Sequence, residues 1–273
     1  MRRKVFTILF ALLFLAGFGI LAYPTISNQW NNYRQSRLIS NYKNITENTD
    51  TEDFDREWER AKEYNDSITV NQPMSADVFS EGGQEDKSSE YWNVLNIAGD
   101  GMMGYLSIPK INVELAIYHG TSNEVLQTGI GHIEGTKLPI GGESNHTVLA
   151  AHRGLPSARL FTDLDQLEEG DEFYIHILDE TLAYQVDQIL PMVDKDDTEA
   201  LSEALAIEGG QDYVTLFTCT PYGVNTHRLL VRGTRVEYHE EETAETPVDT
   251  AKNLLQDYYM FFLIGGVCVT GIV

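Results

Sequence analysis

The amino-terminal run from Val5 to Ala22 holds no charged residue and follows directly on Arg2, Arg3 and Lys4. At about 1.5 Å of rise per helical residue, such a run nearly crosses a hydrocarbon core about 30 Å thick. Its basic flank keeps the amino terminus in the cytoplasm and sends outward whatever follows. A cleaved signal peptide is the competing reading, but its apolar region would be shorter, and no small-x-small cleavage site precedes Tyr23-Pro24. The carboxyl-terminal run Tyr258 to Val273 is also uncharged, yet short for a span and without a basic tail. A tilted marginal helix, a chain that continues past Val273 and a buried core helix all fit it. The expected organisation is therefore a basic stub and anchor (1-23), a helical region with an exposed loop (24-95), a main exported domain (96-239), an acidic linker (240-257) and a second apolar segment (258-273).

Taking Arg2, Arg3 and Lys4 out of the net charge of −23 leaves −26 for everything after the anchor. Nucleic acid is excluded as a partner for a surface of that sign, because phosphate binding needs the opposite one. The acidic runs, Glu240 to Glu242 and Asp194 to Asp197, read as solvated surface. A calcium site there would need a ligand loop of recognisable spacing, and none is present, so neither metal nor cofactor is expected. Of the two cysteines, Cys268 lies in the terminal apolar run and Cys219 stands alone in the exported part. A lone thiol on an exported domain points to a reactive role, with a buried inert cysteine as the alternative.

Residues 28–66 read as helical, with Phe54, Trp58, Ala61 and Tyr64 forming one apolar stripe. From Asn71 to Glu90 the composition is that of an exposed loop, with Pro73, Gly82-Gly83 and Ser88-Ser89. Short strands then follow one another: Tyr105 to Ile108, Val113 to Tyr118, Thr147 to Ala151, Glu172 to Leu178, Leu182 to Leu190, Tyr213 to Thr218 and Leu229 to Tyr238. Strands of this length suggest a mainly β domain, a closed barrel or a sandwich. Short helices are expected at Asn123 to Gly129 and Thr198 to Ala206.

Alternation along Tyr213 to Cys219 puts the thiol on the face of Tyr213, Thr215 and Phe217, at the strand's carboxyl end. A turn signal, Pro221-Tyr222-Gly223, follows, and the next strand opens at Arg228. Antiparallel pairing of these strands would bring Cys219 and Arg228 together. A thiol with an ordinary pKa of about 8.5 also needs a base or cation to ionise usefully. Among the seven histidines, His119, His132 and His146 stand beside glycine or polar turn residues, His176 and His239 within or beyond strands, and His227 should face away from its neighbour Arg228. His152 ends the apolar run Val148 to Ala151 and opens the loop Arg153-Gly154-Leu155-Pro156, where a rim site would want it; a capped structural histidine is the alternative.

Ala-Ala-His152-Arg-Gly, then Thr218-Cys219-Thr220-Pro221-Tyr222-Gly223 and Asn225-Thr226-His227-Arg228, resembles the sortases, and the wording of these motifs is similar to the pilin-polymerising class C. The likeness runs from about Gly104 to Glu237 and takes in Pro156 to Asp163 and the flanking apolar segments. It implies an eight-stranded sortase β-barrel with short helices, an N-terminal helical and lid region and flanking transmembrane helices. Cys219 would be the nucleophile, His152 the general acid and base, and Arg228 the third member, stabilising an oxyanion or holding the peptide backbone. Implied partners are pilin or surface-protein sorting signals of Leu-Pro-x-Thr-Gly type and an amine acceptor, on the outer face of a Gram-positive-type membrane. The implied lid motif, Asp-Pro-aromatic, stands here as Asp77-Val78-Phe79, so a lid lacking proline's fixed φ is expected. A wall-anchoring enzyme of the same family and a non-catalytic acidic surface module are the competing functions. Leu138-Pro139-Ile140-Gly141-Gly142 lacks the threonine of a sorting signal and reads as a turn.

Overall fold

The computed structural model describes residues 2–70, 77–79 and 88–239. Eight strands close into a barrel: β1 (Met102–Ile108), β2 (Val113–His119), β3 (Ile130–His132), β4 (Asn145–Ala150), β5 (Glu172–Ile177), β6 (Glu180–Asp194), β7 (Asp212–Thr220) and β8 (His227–Val236). Their order around the wall is β1-β2-β3-β4-β7-β8-β6-β5. Neighbours are antiparallel except β2 with β3 and β4 with β7. The expected closed, mainly β fold is what forms, with one strand more than the hydrophobic pattern shows. That strand, β3, is short and centred on Gly131, where a Cβ would run into the Gly120 carbonyl oxygen at 2.3 Å. Close backbone approach therefore requires a glycine where a strand pattern would show a branched side chain. Strand β6 also outruns its expected end at Leu190, passing Pro191 through register shifts at Val186/Gln188 and Leu190/Val193.

Strand β7 is buried on both faces, which decides where the site can sit. Val214 and Leu216 join the main core with Leu149, Leu229, Val231 and Phe173. The alternate residue Phe217 joins a second cluster with Val148, Ala150, Leu230, Leu201 and Leu205. Each of the valine, leucine and phenylalanine side chains contributes about 1.5–3 kcal/mol on burial. The second cluster forms the floor of the site, and Leu201 belongs to a short helix at Thr198–Ala204 that covers part of it. The other expected short helix spans Asn123–Leu126.

The amino-terminal region forms two helices, α1 (Arg2–Glu47) and α2 (Thr51–Ser67), so the anchor run and the first part of the helical region are one continuous helix. Phe54 and Ala61 of the expected stripe are buried, and Trp58 and Tyr64 pack against the same core. The acidic linker and the apolar segment from Tyr258 lie outside the described residues, as does the loop from Asn71 apart from Asp77–Phe79 and 88–90.

His119, His132 and His146, which stand beside glycine or polar residues in the sequence, are all strand residues and almost fully buried. The Nδ1 of His132 meets the Tyr91 hydroxyl at 2.9 Å, and its Nε2 meets the Lys137 carbonyl at 2.9 Å. That carbonyl only accepts, so Nε2 carries the proton. Burial pushes the His132 pKa down to about 4, against the pull of the Lys137 hydrogen bond. An unfolded chain takes up this proton near pH 6.5 and the folded one only near pH 4. The stability is thus intact above pH 6.5 and is lost as pH falls toward 4. His132 alone is expected to cost about 2.5 kcal/mol by pH 4.5. His176, lowered to about 4 by burial and then by Lys43, acts in the same direction. Urea midpoints measured from pH 7 to 4.5 test this, and a flat midpoint between 6.5 and 4.5 contradicts it.

Candidate active site

Strand register brings the three expected residues to one level of the wall. In the antiparallel β7/β8 pair, Cys219 is the direct partner of Arg228. In the parallel β4/β7 pair, Leu149 faces Leu216 and Ala150 faces Phe217. Contact continues beyond the strand, because the Ala151 N–H donates to the Phe217 carbonyl at 3.2 Å and the Thr218 hydroxyl donates to the Ala151 carbonyl at 2.7 Å. The same offset carried on to His152 sets it alongside Cys219. Cys219 and Arg228 therefore stand side by side on adjacent strands, with His152, just past the end of β4, at the corresponding level on the other side of Cys219. Their side chains share the face of Ala150, Phe217 and Leu230, outside the barrel's main core.

Asp77-Val78-Phe79 closes over these residues. The Phe79 ring lies 5.2 Å from the His152 ring and stacks on Phe217 at 5.9 Å, with planes 6° apart. The Arg228 guanidinium carbon is 5.3 Å from the Phe79 centroid. Val78 packs on the same apolar cluster. Arg228 Nε donates to Asp77 Oδ1 at 3.0 Å, and its Nη2 donates to Asp77 Oδ2. Its Nη1 serves the Asn225 and His227 carbonyls at 2.9 and 2.6 Å. Cys219 is left 3% exposed and Arg228 2%, too little for a peptide to reach either.

The cover also sets the electrostatics. Burial pushes the Cys219 thiol up to about 11; Arg228 opposes the rise and the Asp77 carboxylate adds to it. Burial moves His152 the other way, below its ordinary value. Thiol and imidazole are both neutral at pH 7 in this closed arrangement, which is the unreactive state of a thiol nucleophile.

Sequence reasoning gave Arg153 and Thr220 no role, and Phe217 none beyond sharing the thiol's face. Arg153 donates from Nε to the Thr162 carbonyl at 3.1 Å and from Nη1 to the Thr220 hydroxyl at 3.3 Å, and it pairs with Asp165. It thus ties the residue after His152 to the residue after Cys219. The only signal for this in the sequence is position, since both partners flank the expected site. His227 begins β8 with its Nδ1 against the Thr226 hydroxyl at 2.9 Å. Among the described residues, no group of three or more His, Cys, Asp or Glu side chains is disposed to hold a metal ion.

A sortase-domain family model matches residues 106–236. The crystal structure of sortase C1 from Streptococcus agalactiae is 50% identical over 74% of this chain and 100% of that one, with a TM-score of 0.65. Sortase C-1 from Streptococcus pneumoniae is 43% identical over the same shares, with a TM-score of 0.66. Sortase SrtE2 of Streptomyces coelicolor is 28% identical over 60% of this chain and 72% of that protein. Identity at this level along the whole of a solved sortase C1 chain places the protein: it belongs to the sortase family, in class C, and is a cysteine transpeptidase.

Proposed function

We propose that this transpeptidase builds pili. It cleaves a Leu-Pro-x-Thr-Gly-like sorting signal between threonine and glycine and joins the threonine carbonyl to a pilin lysine. Cys219 attacks that carbonyl as thiolate, and His152 returns the thiol's proton to the departing glycine amine, leaving a thioester. The lysine amine then attacks the thioester, gives its proton to His152 and frees Cys219, leaving an isopeptide bond. Arg228 is the cation of the site and donates to the carbonyl oxygen as it gains charge. The observation that carries this reading is the register pair Cys219–Arg228 with the Phe79 ring lying against both His152 and Arg228. For the acceptor, support comes from neighbours described as a pilus-related sortase C and a pilus-island sortase C1 of group B Streptococcus.

Sortases are membrane-associated in Gram-positive bacteria, and residues 5–22 of α1 suit a span with the catalytic domain outside. One competition tests the acceptor. Enzyme offered a sorting peptide with both a pilin domain and wall-type oligoglycine is expected to form the lysine isopeptide, seen as the added mass on pilin. Product formed with oligoglycine alone would overturn pilus assembly in favour of wall anchoring.

The Asp77–Arg228 pair makes opening a chemical event as well as a steric one. When the cover leaves, water reaches Cys219 and the Asp77 charge goes with it, so both causes that raise the thiol pKa weaken. The guanidinium, released from Asp77, is then free to act on the thiolate. Asp77→Ala with Phe79→Ala is expected to speed iodoacetamide alkylation of Cys219 at pH 7.5 by at least about tenfold, one unit of thiol pKa being worth that factor. An unchanged rate would show that the segment does not guard the thiol.

A further inference from the structure

Helix α1 is built inside out where it leaves the membrane. Its polar side chains face the barrel: Asn31 and Gln35 are 7% and 2% exposed. Gln35 accepts from the Ala116 N–H at 2.9 Å and donates to the Thr128 carbonyl. Ser27 donates to the Ser157 carbonyl at 3.1 Å, and Asn28 accepts from the Arg159 N–H at 2.9 Å. The large apolar side chains of the same stretch face outward, with Tyr23, Ile26, Trp30 and Tyr33 between 54% and 64% exposed. At about 100° per residue, these four fall within an arc of about 80°, opposite the barrel-facing side. After Arg37 the pattern reverts to that of a helix in water, with Ile39 and Tyr42 buried on the barrel.

A helix docked on a soluble domain in water would show the reverse order over residues 23–37. Aromatic and aliphatic residues turned outward, beside Arg34 and Arg37, form the face of a helix lying in a lipid interface. The charge agrees: from Tyr23 to Thr46 the chain carries Arg34, Arg37 and Lys43 and no acidic residue, in a protein otherwise strongly acidic. Such a stretch suits anionic headgroups. An upright α1 would hold Tyr33 about 16 Å above Ala22, beyond a headgroup layer about 5–8 Å deep. Pro24 lies inside α1 where the stripe begins, and proline, which cannot donate to the preceding turn, is where helices bend.

We propose that residues 23–37 of α1 lie along the outer surface of the bilayer, bent from the span at Pro24. The Tyr23, Ile26, Trp30 and Tyr33 stripe enters the headgroup–acyl boundary, and the barrel rides on the opposite, polar face. This rests on residues 5–22 being the membrane anchor. It places the loop after His152, tied to Ser27 and Asn28, close above the lipid surface, so that the site receives sorting signals at the membrane.

The test uses the full chain in nanodiscs containing phosphatidylglycerol, with acyl chains brominated or not, and compares Trp fluorescence with that of Trp30→Phe. Brominated lipid is expected to remove the emission that Trp30→Phe lacks, and aqueous iodide to leave it. Ile26→Glu with Tyr33→Glu, which keeps Trp30 as reporter, is expected to raise iodide quenching several-fold without changing peptide cleavage in detergent. Trp30 emission open to iodide but not to brominated lipid overturns the proposal in favour of water. Protection from both overturns it in favour of a protein cover, a second copy or the apolar segment from Tyr258. A chain that does not co-elute with nanodiscs instead refutes the anchor.

Discussion

His152→Ala is expected to lower kcat/KM for sorting-peptide cleavage by about a thousandfold or more, within the range for loss of a general acid and base. The glycine amine cannot leave as an anion, so a proton must reach it as the C–N bond breaks. His152 follows β4 at the level that the β4/β7 register, carried on, assigns to Cys219, and is the group proposed to carry that proton. Its depressed pKa and the raised one of Cys219 keep both neutral when covered. The uncovered enzyme should therefore show a bell-shaped pH profile belonging to the pair. The variant should lose one limb and keep a single titration. A variant with near wild-type rate, or with an unaltered bell, would remove His152 from the chemistry.

The second large effect is expected from Arg228→Ala, and its value lies in two readouts that move oppositely. Loss of an oxyanion donor lowers kcat by about a hundred- to a thousandfold. The guanidinium that pulls the thiol pKa down is also gone. At the same time Asp77 loses the two hydrogen bonds that Arg228 gives it. Breaking a buried ion pair from one side costs about 3–5 kcal/mol, and the cover can shed that cost by leaving. Iodoacetamide should then reach Cys219 more readily even as catalysis falls. Arg228→Lys should recover little, since an ammonium cannot reproduce the paired donors at Asp77. Wild-type kcat in Arg228→Ala would contradict the role proposed for it.

Most of the barrel was legible because its longer strands are short runs rich in β-branched and aromatic residues, bounded by turn signals. The Cys219–Arg228 pairing was legible too, since a short turn between antiparallel strands fixes its register locally. Strand β3 was hidden because Gly131 serves backbone packing and gives no hydrophobic signal. The link from His152 to Cys219 depends on parallel pairing of β4 with β7, whose partners are far apart in sequence; its place at the end of an apolar run made His152 a candidate, and likeness of motifs tied it to Cys219. The burial of His119, His132 and His146 was hidden because their carbonyl partners at Val94, Lys137 and Ala206 are supplied by other segments or by folding back of the chain. Asp77 and Phe79 were placed by motif alone; their contacts with Arg228, His152 and Phe217 cross from one end of the domain to the other.

The decisive measurement is the intact mass of the enzyme during turnover of a Leu-Pro-x-Thr-Gly peptide, using Asp77→Ala with Phe79→Ala so that the thiol is open. The expected result is an added mass equal to the peptide ending at threonine, mapped to Cys219, released by hydroxylamine and absent when Cys219→Ala is introduced. Peptide cleavage with no adduct at Cys219, or an adduct that survives Cys219→Ala, would contradict a thioester on this residue.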